Sequence, residues 1–304
     1  MAESVYALNN IARCTAVFKV GTVLTDPTTV VFTVSDPTGA VTTPATVHDS
    51  TGNYHADVTP TVSGTWRYEY QGTGTVVAEG QSDFFVTPDY TVARVNNAAT
   101  LTWDLALALR DTTFSVWDSR EMERLVIWAA AGAWPHLSRE FDPSLSANII
   151  TLVKGTYFYA MPANMLAVSR IDFVDTNGNE LGPLQPGAWD TEGDLLGGAA
   201  KLHIAPGIVM TGGTLRVQGY GRYDLTTNYP IDDYVPLILA MAREEALRRM
   251  VSNRAQSTQW LATAQPQNMT VNEIVLMLNE AKQDVQVLRN RYRKWFRPVP
   301  ARHG

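Results

Sequence analysis

The sequence predicts an α+β protein: a β-sandwich over residues 1–88, a linker over 89–101, and a helical bundle over 102–304 that carries a β-rich insertion. Three observations predict it. Residues 15–86 alternate β-branched and aromatic side chains with polar ones, and Gly, Pro and Asp clusters break the alternation. Helical spacing begins after Thr102, and strand-like runs interrupt it between residues 148 and 222. The last third holds a long helical pattern with a single narrow apolar stripe.

In the first part, strands are expected over Thr15–Val20, Thr29–Val34, Gly64–Tyr70 and Thr75–Val86. Turn clusters at Asp26-Pro27, Asp36–Gly39, Asp49–Gly52 and Gln71–Gly74 separate them. Trp66, Tyr68 and Tyr70 alternate with Arg67 and Glu69, as a strand with one buried face requires. Short strands at this spacing predict a small sandwich of immunoglobulin-like type. It has no inter-sheet disulfide, because Cys14 is the single cysteine. Pro88–Thr100 is weakly patterned and reads as the linker.

Helices are expected over 102–141, the first around Leu105 and Leu109. The second opens at Asp118-Ser-Arg-Glu121, a capping-box spacing, and buries Met122, Leu125, Val126, Ala129, Ala133 and Leu137 until Pro135 bends or stops it. Trp103, Trp117, Trp128 and Trp134 suit a core or a subunit interface better than a stacking platform. The β module, residues 148–222, contains runs at Asn148–Val153, Thr156–Ala160, Val168–Val174, Lys201–Ile204 and Thr214–Tyr220. Asn177-Gly178 marks a hairpin turn. Gly182–Ala200, with five glycines and two prolines, reads as an exposed loop.

Helices resume over 232–296. Their pattern halts near Pro266 and restarts at Thr270-Val-Asn-Glu273, a second capping box. Val271, Ile274, Leu278, Ala281, Val285, Leu288, Tyr292 and Trp295 then recur at alternating spacings of three and four. That is the seam of a helix packed along its whole length against other helices, with a polar back. A basic tail over 289–304 holds six Lys or Arg and no acid: Arg289, Arg291, Arg293, Lys294, Arg297 and Arg302, with Trp295 and Phe296 as apolar anchors.

The charge is uneven. Residues 1–90 hold nine acids and three bases, an excess equal to the whole formal net charge of −6. Such asymmetry favours docking of the basic tail on an acidic surface, protein or DNA phosphate. No signal peptide or membrane-spanning run is read, so the chain is expected to be made in a cytoplasm. Gly72-x-Gly74 lacks the rest of a dinucleotide fingerprint, and phosphate-loop, zinc-protease and nucleophile-elbow spacings do not occur. His48, Asp49, His55 and Asp57 offer metal-ligand chemistry or simply a polar hairpin; Asp175–Glu180 echoes the start of a calcium loop or forms a plain turn. Glu244 and Glu245 precede Arg248 and Arg249 at the favourable i,i+4 order, which reads as a charged helix face. No catalytic residue, cofactor site or metal site is assigned, and an enzyme is not expected.

The order of a helix pair around Leu105–Leu137, Tyr157–Pro162, Ile171–Gly178, Leu215–Tyr220, the helix Tyr234–Met250 and the terminal seam helix is similar to the head-to-tail adaptor (connector) proteins of tailed bacteriophages. The front domain, with Asp49–His55 and Gly64–Tyr68, resembles immunoglobulin-like modules attached to phage virion proteins. The resemblance implies a structural protein of the virion neck, assembled in the host cytoplasm. It implies a ring of about twelve copies beneath the portal that lines the DNA exit channel, with a tail or neck protein below and packaged DNA nearby. Its portal-docking residues would be Arg289, Arg291, Arg293, Lys294, Trp295, Phe296 and Arg297. The competing reading is a virion adhesin whose sandwich binds host glycans. A polysaccharide hydrolase would need a carboxylate pair that nothing in the sequence proposes.

Overall fold

Alternation at period two builds the front of the chain, because each strand there turns one face to a core. A computed structural model describes residues 3–89, 94–141, 144–163, 165–185, 187–192, 201–209, 212–226, 229–263 and 271–292. Its first strands are β1 (Ser4–Ala7), β2 (Ala12–Val17), β3 (Lys19–Val20), β4 (Val23–Leu24), β5 (Thr29–Ser35), β6 (Val41–Thr42), β7 (Thr46–Ser50), β8 (Asn53–Val58), β9 (Gly64–Thr73) and β10 (Ala78–Thr87). They form a sheet in the order β1-β10-β9-β5-β6, a sheet β2-β8-β7 and a small hairpin β3-β4. β1 runs parallel to β10, whereas β10 and β5 each pair antiparallel with β9. Ala12, Cys14, Ala16 and Ala56 of the smaller sheet share a core with Phe32, Val34, Trp66, Tyr68, Phe84 and Val86 of the larger. Two sheets closed on one core make a sandwich. Burial pushes the Cys14 thiol up to about 12, so it behaves as a small apolar group. Gly72 has no room for a side chain, since a Cβ there would lie 2.5 Å from Phe18 Cε1 and 2.9 Å from Pro27 Cγ.

The outer face of the larger sheet is covered at one end. Phe85 points away from the sandwich core, yet is 0% exposed. Its ring stacks on Trp103 at 5.9 Å and meets Phe114 at 4.8 Å. Trp103 belongs to α1 (Ala98–Leu109), which starts earlier than the sequence suggests because Asn97 Oδ1 accepts the Thr100 N–H at 2.9 Å. Next comes α2 (Ser119–Gly132), opened by Asp118 Oδ1 accepting the Glu121 N–H at 2.6 Å. Met122, Leu125, Val126 and Ala129 are buried as the spacing predicts. Asp83 of β10 joins Arg67 and Arg120, each at 3.2 Å, and so ties the sheet to α2.

Contacts divide the described residues into two compact units, one from the start of the chain to 129 together with 225–288, the other 130–224 together with the end of the last helix from 289. The division does not fall at the expected 89–101 linker. Phe85, Asp83 and Thr65 engage the helices, so sandwich and helices count as one unit.

The second unit holds β11 (Arg139–Phe141), β12 (Ile149–Thr151), β13 (Phe158–Ala160), β14 (Met165–Val174), β15 (Glu180–Pro183), β16 (Trp189–Glu192), β17 (Lys201–Ile204), a short helix α3 (Pro206–Val209) and β18 (Thr214–Gly221). One sheet runs β11-β18-β14-β15 with β12 also on β18, and the other β13-β17-β16. Ile171, Phe173, Leu215 and Val217 of the first sheet and Leu202 and Ile204 of the second share a core. The Asn177-Gly178 turn does join β14 to β15. Two expectations are corrected. Residues 139–141 are a strand, not the end of a helix, because they pair with β18. Gly182–Ala200 is not all loop: β15 closes on β14, and β16 pairs with β17 from Trp189 to Glu192.

Back in the first unit lie α4 (Val235–Ser252), α5 (Arg254–Thr263) and, as far as Leu288, α6 (Val271–Arg291). α4 packs on α1 and α5. It buries Leu237, Ile238, Met241, Ala242, Ala246, Leu247 and Met250. Trp260 of α5 is fully buried and donates to Leu109 O at 3.0 Å, satisfying a carbonyl at the end of α1.

Candidate functional site

The residues singled out for function concentrate on α6 and the chain beyond it. The helix exists because its apolar residues recur on one side. Ile274, Leu278, Ala281 and Val285 are all 7% exposed or less. Leu288 and Tyr292 are half-buried. The Val271 side chain, Thr270 of the capping box, and Arg293, Lys294, Trp295, Phe296 and Arg297 lie outside the described residues. Arg289 is half-buried, and Arg291 is exposed with its guanidinium carbon 5.7 Å over the Tyr292 ring. The back of the helix is mostly polar, as expected, but carries two exposed apolar residues. Leu276 is 59% exposed and Val287 65%, opposite the seam, with exposed Glu280 and Asp284 between them.

The histidine and aspartate cluster on the sandwich resolves into ion pairs. His55 Nδ1 sits 2.7 Å from Asp49 Oδ1, and its Nε2 lies 3.7 Å from Asp57. Arg13 holds Asp57 through two bonds of 2.8 and 2.9 Å and keeps its carboxyl below the usual carboxylate range. His48 turns instead to Asp26 at 3.1 Å, so the two histidines do not converge. Among the described residues, no group of three or more His, Cys, Asp or Glu is placed to hold a metal ion. Both ring nitrogens of His55 thus face carboxylates, Asp49 on one side and Asp57 on the other.

Asp175 accepts the N–H groups of Asn177 and Asn179, each at 2.8 Å, and the Asn179 side chain at 3.0 Å. These bonds, the Asn179 side chain first, lower its carboxyl, and they spend its oxygens on the hairpin turn. Arg248 reaches Glu244 and Glu245, and Arg249 reaches Glu245 at 3.1 Å, the charged face the spacing predicts. Trp117 is fully buried, Trp103 packs on the sheet, and Trp128 is 47% exposed.

Three polar hubs were not legible in the sequence. Glu3 accepts both the Ser119 N–H at 3.0 Å and its hydroxyl at 2.7 Å, while Thr65 donates to Ser119 at 2.8 Å. Burial raises the Glu3 carboxyl against the lowering effect of those bonds. Asp111, 2% exposed, accepts from Ser115, Val116 and Trp117 and shapes the α1–α2 connection. Its only sequence signal is an acid four residues before a serine. Asn96, 4% exposed, donates to Pro230 O at 2.9 Å and Asp232 Oδ1 at 2.8 Å. It floors a shallow groove of about 380 Å³ bordered by Arg94, Val95, Tyr229 and Ile231. These arrangements hold elements together across the α1–α2 connection and the start of α4.

Among the described residues, no helix is long and apolar enough to cross a membrane. No protein-family model matches the chain, and no curated protein sequence matches it. Parts of it are similar to solved structures. One is the Lin-41 filamin domain, at 12% identity and a TM-score of 0.24 over 27% of this chain and 82% of that one. Another is a candidate glycoside hydrolase from Bacteroides vulgatus, at 14% identity and a TM-score of 0.24 over 32% of this chain and 19% of that one. At those scores neither likeness carries an argument.

Proposed function

We propose that this chain is a structural virion protein, a head-to-tail adaptor that forms a ring of about twelve subunits beneath the portal of a tailed bacteriophage. In this reading the front sandwich is an immunoglobulin-like module. The helices α1, α2 and α4–α6 are the adaptor's bundle, and the β module is its insertion. The ring joins the DNA-filled head to the tail, lines the exit channel, and docks on the portal through residues 289–297.

The observation that carries the reading is α6. It is a helix of 21 residues with one buried stripe, and the chain continues from it into a basic, aromatic, proline-bearing sequence with no acid. Such a sequence has too little apolar surface for a core of its own, whereas arginine and aromatic side chains are the usual anchors of an interface. The element order also supports it: two helices, a β module, then helices again.

The test is binding of the full chain to purified portal, with imaging of the complex, beside a chain truncated after Asn290. Truncation is expected to abolish portal binding while the sandwich and helices stay folded. Arg291→Glu with Arg293→Glu is expected to weaken attachment, and raised salt to mimic part of that loss. Unchanged portal affinity after truncation would remove the tail from its docking role.

A further inference from the structure

Exposed apolar residues scattered singly need no explanation. Two helix faces of the first unit are different, because each combines exposed apolar groups with an exposed charge that makes no close ion pair among the described residues. On α2, Ile127 and Trp128 are 41% and 47% exposed, and Arg124 stands exposed one turn before them. Arg124 makes no ion pair with a described carboxylate, although its charge acts to lower the nearby Glu121 and Glu123 carboxyls, and Glu121 itself reaches Arg249 at 3.7 Å. On α6, Leu276 and Val287 stand about 16 Å apart along the axis, on the face opposite the buried stripe. Glu280 and Asp284 lie between them, exposed and four residues apart. Like charges at that spacing destabilise a helix, and no described cation pairs with either.

We infer that the α2 face of one copy of this chain docks on the α6 face of the next, in a head-to-tail contact between unlike surfaces. Each face carries what the other lacks: a half-exposed tryptophan beside a cation on α2, and two apolar ridges around two acids on α6. A two-fold contact is disfavoured for either face. Pairing α6 with α6 would bring Glu280 and Asp284 towards their own copies, and pairing α2 with α2 would oppose the two Arg124 guanidinium groups. Complementary unlike faces on one molecule give a heterologous interface, which closes into a ring or runs on as a filament. The inference names the lateral contact of the proposed ring and rests on that reading for closure alone. Portal binding is a separate measurement, so the two can fail independently.

Unlike faces permit a decisive mixing experiment on the full-length chain. Trp128→Asp disables the α2 face, and Leu276→Asp with Val287→Asp disables the α6 face. All three positions are exposed, and unchanged circular dichroism checks the fold. By sedimentation velocity the wild type is expected to associate and each variant to remain monomeric. An equimolar mixture of the two variants keeps one intact pair of faces and should give a 1:1 heterodimer that grows no further. Charge reversal supplies an arm free of apolar changes. Arg124→Glu or Glu280→Arg alone should weaken association about tenfold, and both in one chain should restore it. A monomeric wild type, a mixture that stays monomeric, or a double reversal no better than the single ones would each overturn the inference. A mixture that assembles beyond the heterodimer would place the contact elsewhere.

Discussion

Replacing Phe85 by Ala tests whether the sandwich and the helices fold as one block. The ring is 0% exposed, stacked at 14° on Trp103 and 4.8 Å from Phe114, so truncation leaves a cavity walled by residues of α1 and the α1–α2 connection. A buried Phe→Ala change costs about 3–5 kcal/mol, which already includes most of the about 0.5–1.5 kcal/mol per aromatic contact. Set against a typical stability of about 5–15 kcal/mol, that is a large fraction. Native-state hydrogen exchange with peptide resolution is the assay, because it reads each element separately. At about 1.4 kcal/mol per tenfold, a loss near 4 kcal/mol lowers protection by roughly three orders of magnitude. The fall should appear together in β5, β9, α1 and α4, and should spare β14 and β18 of the second unit. Loss confined to peptides next to Phe85, with β5 and α1 unchanged, would refute the single block. So would a fragment of residues 1–88 that melts cooperatively with full-chain stability.

Two further predictions follow from buried groups on the same unit. Leu278→Asp places a carboxylate in the α6 stripe at a position 7% exposed and should cost several kcal/mol, read as loss of α6 protection; wild-type exchange there would mean the stripe is not packed. Glu3 has a folded carboxyl pKa above its unfolded value, so its contribution is fully present below the unfolded pKa and is lost as pH rises through the folded one. The urea midpoint of wild type relative to Glu3→Gln should therefore fall as pH rises above the ordinary glutamate pKa of about 4.3, and a constant or rising difference would contradict the assignment.

Local signals made much of this architecture readable. β5, β9 and β10 announce themselves through β-branched and aromatic alternation, and Asp118 and Asn177-Gly178 mark a helix start and a hairpin whose hydrogen bonds are made within a few residues. The α6 stripe was legible because helical spacing fixes which side chains share a face. What stayed hidden depends on distant partners. Nothing in Thr65, Phe85 or Glu3 reveals that each meets a helix or loop far along the chain. β15 and β16 carry no strand signal of their own, because Gly182, Pro183 and Gly187 read as loop until β14 and β17 supply their ladders. The start of α1 is faint in the sequence because Ala98, Ala99 and Thr100 carry almost no amphipathic signal, and only the Asn97 cap defines it. Leu276 and Val287 lie outside the seam spacing, so the periodicity that defines the buried face is silent about them.

The parallel pairing of β1 with β10 sets how the front of the molecule would respond to load. The chain enters the sandwich at Ser4 and leaves it at Thr87, and the register runs from Ser4 opposite Phe84 to Ala7 opposite Thr87. Tension applied at the entrance and the exit therefore pulls the two strands past each other along their length. All four registered positions resist at once, whereas antiparallel terminal strands pulled from those ends would peel apart one bond at a time. A pull on this chain is carried in shear at its first strand before it reaches the sandwich core.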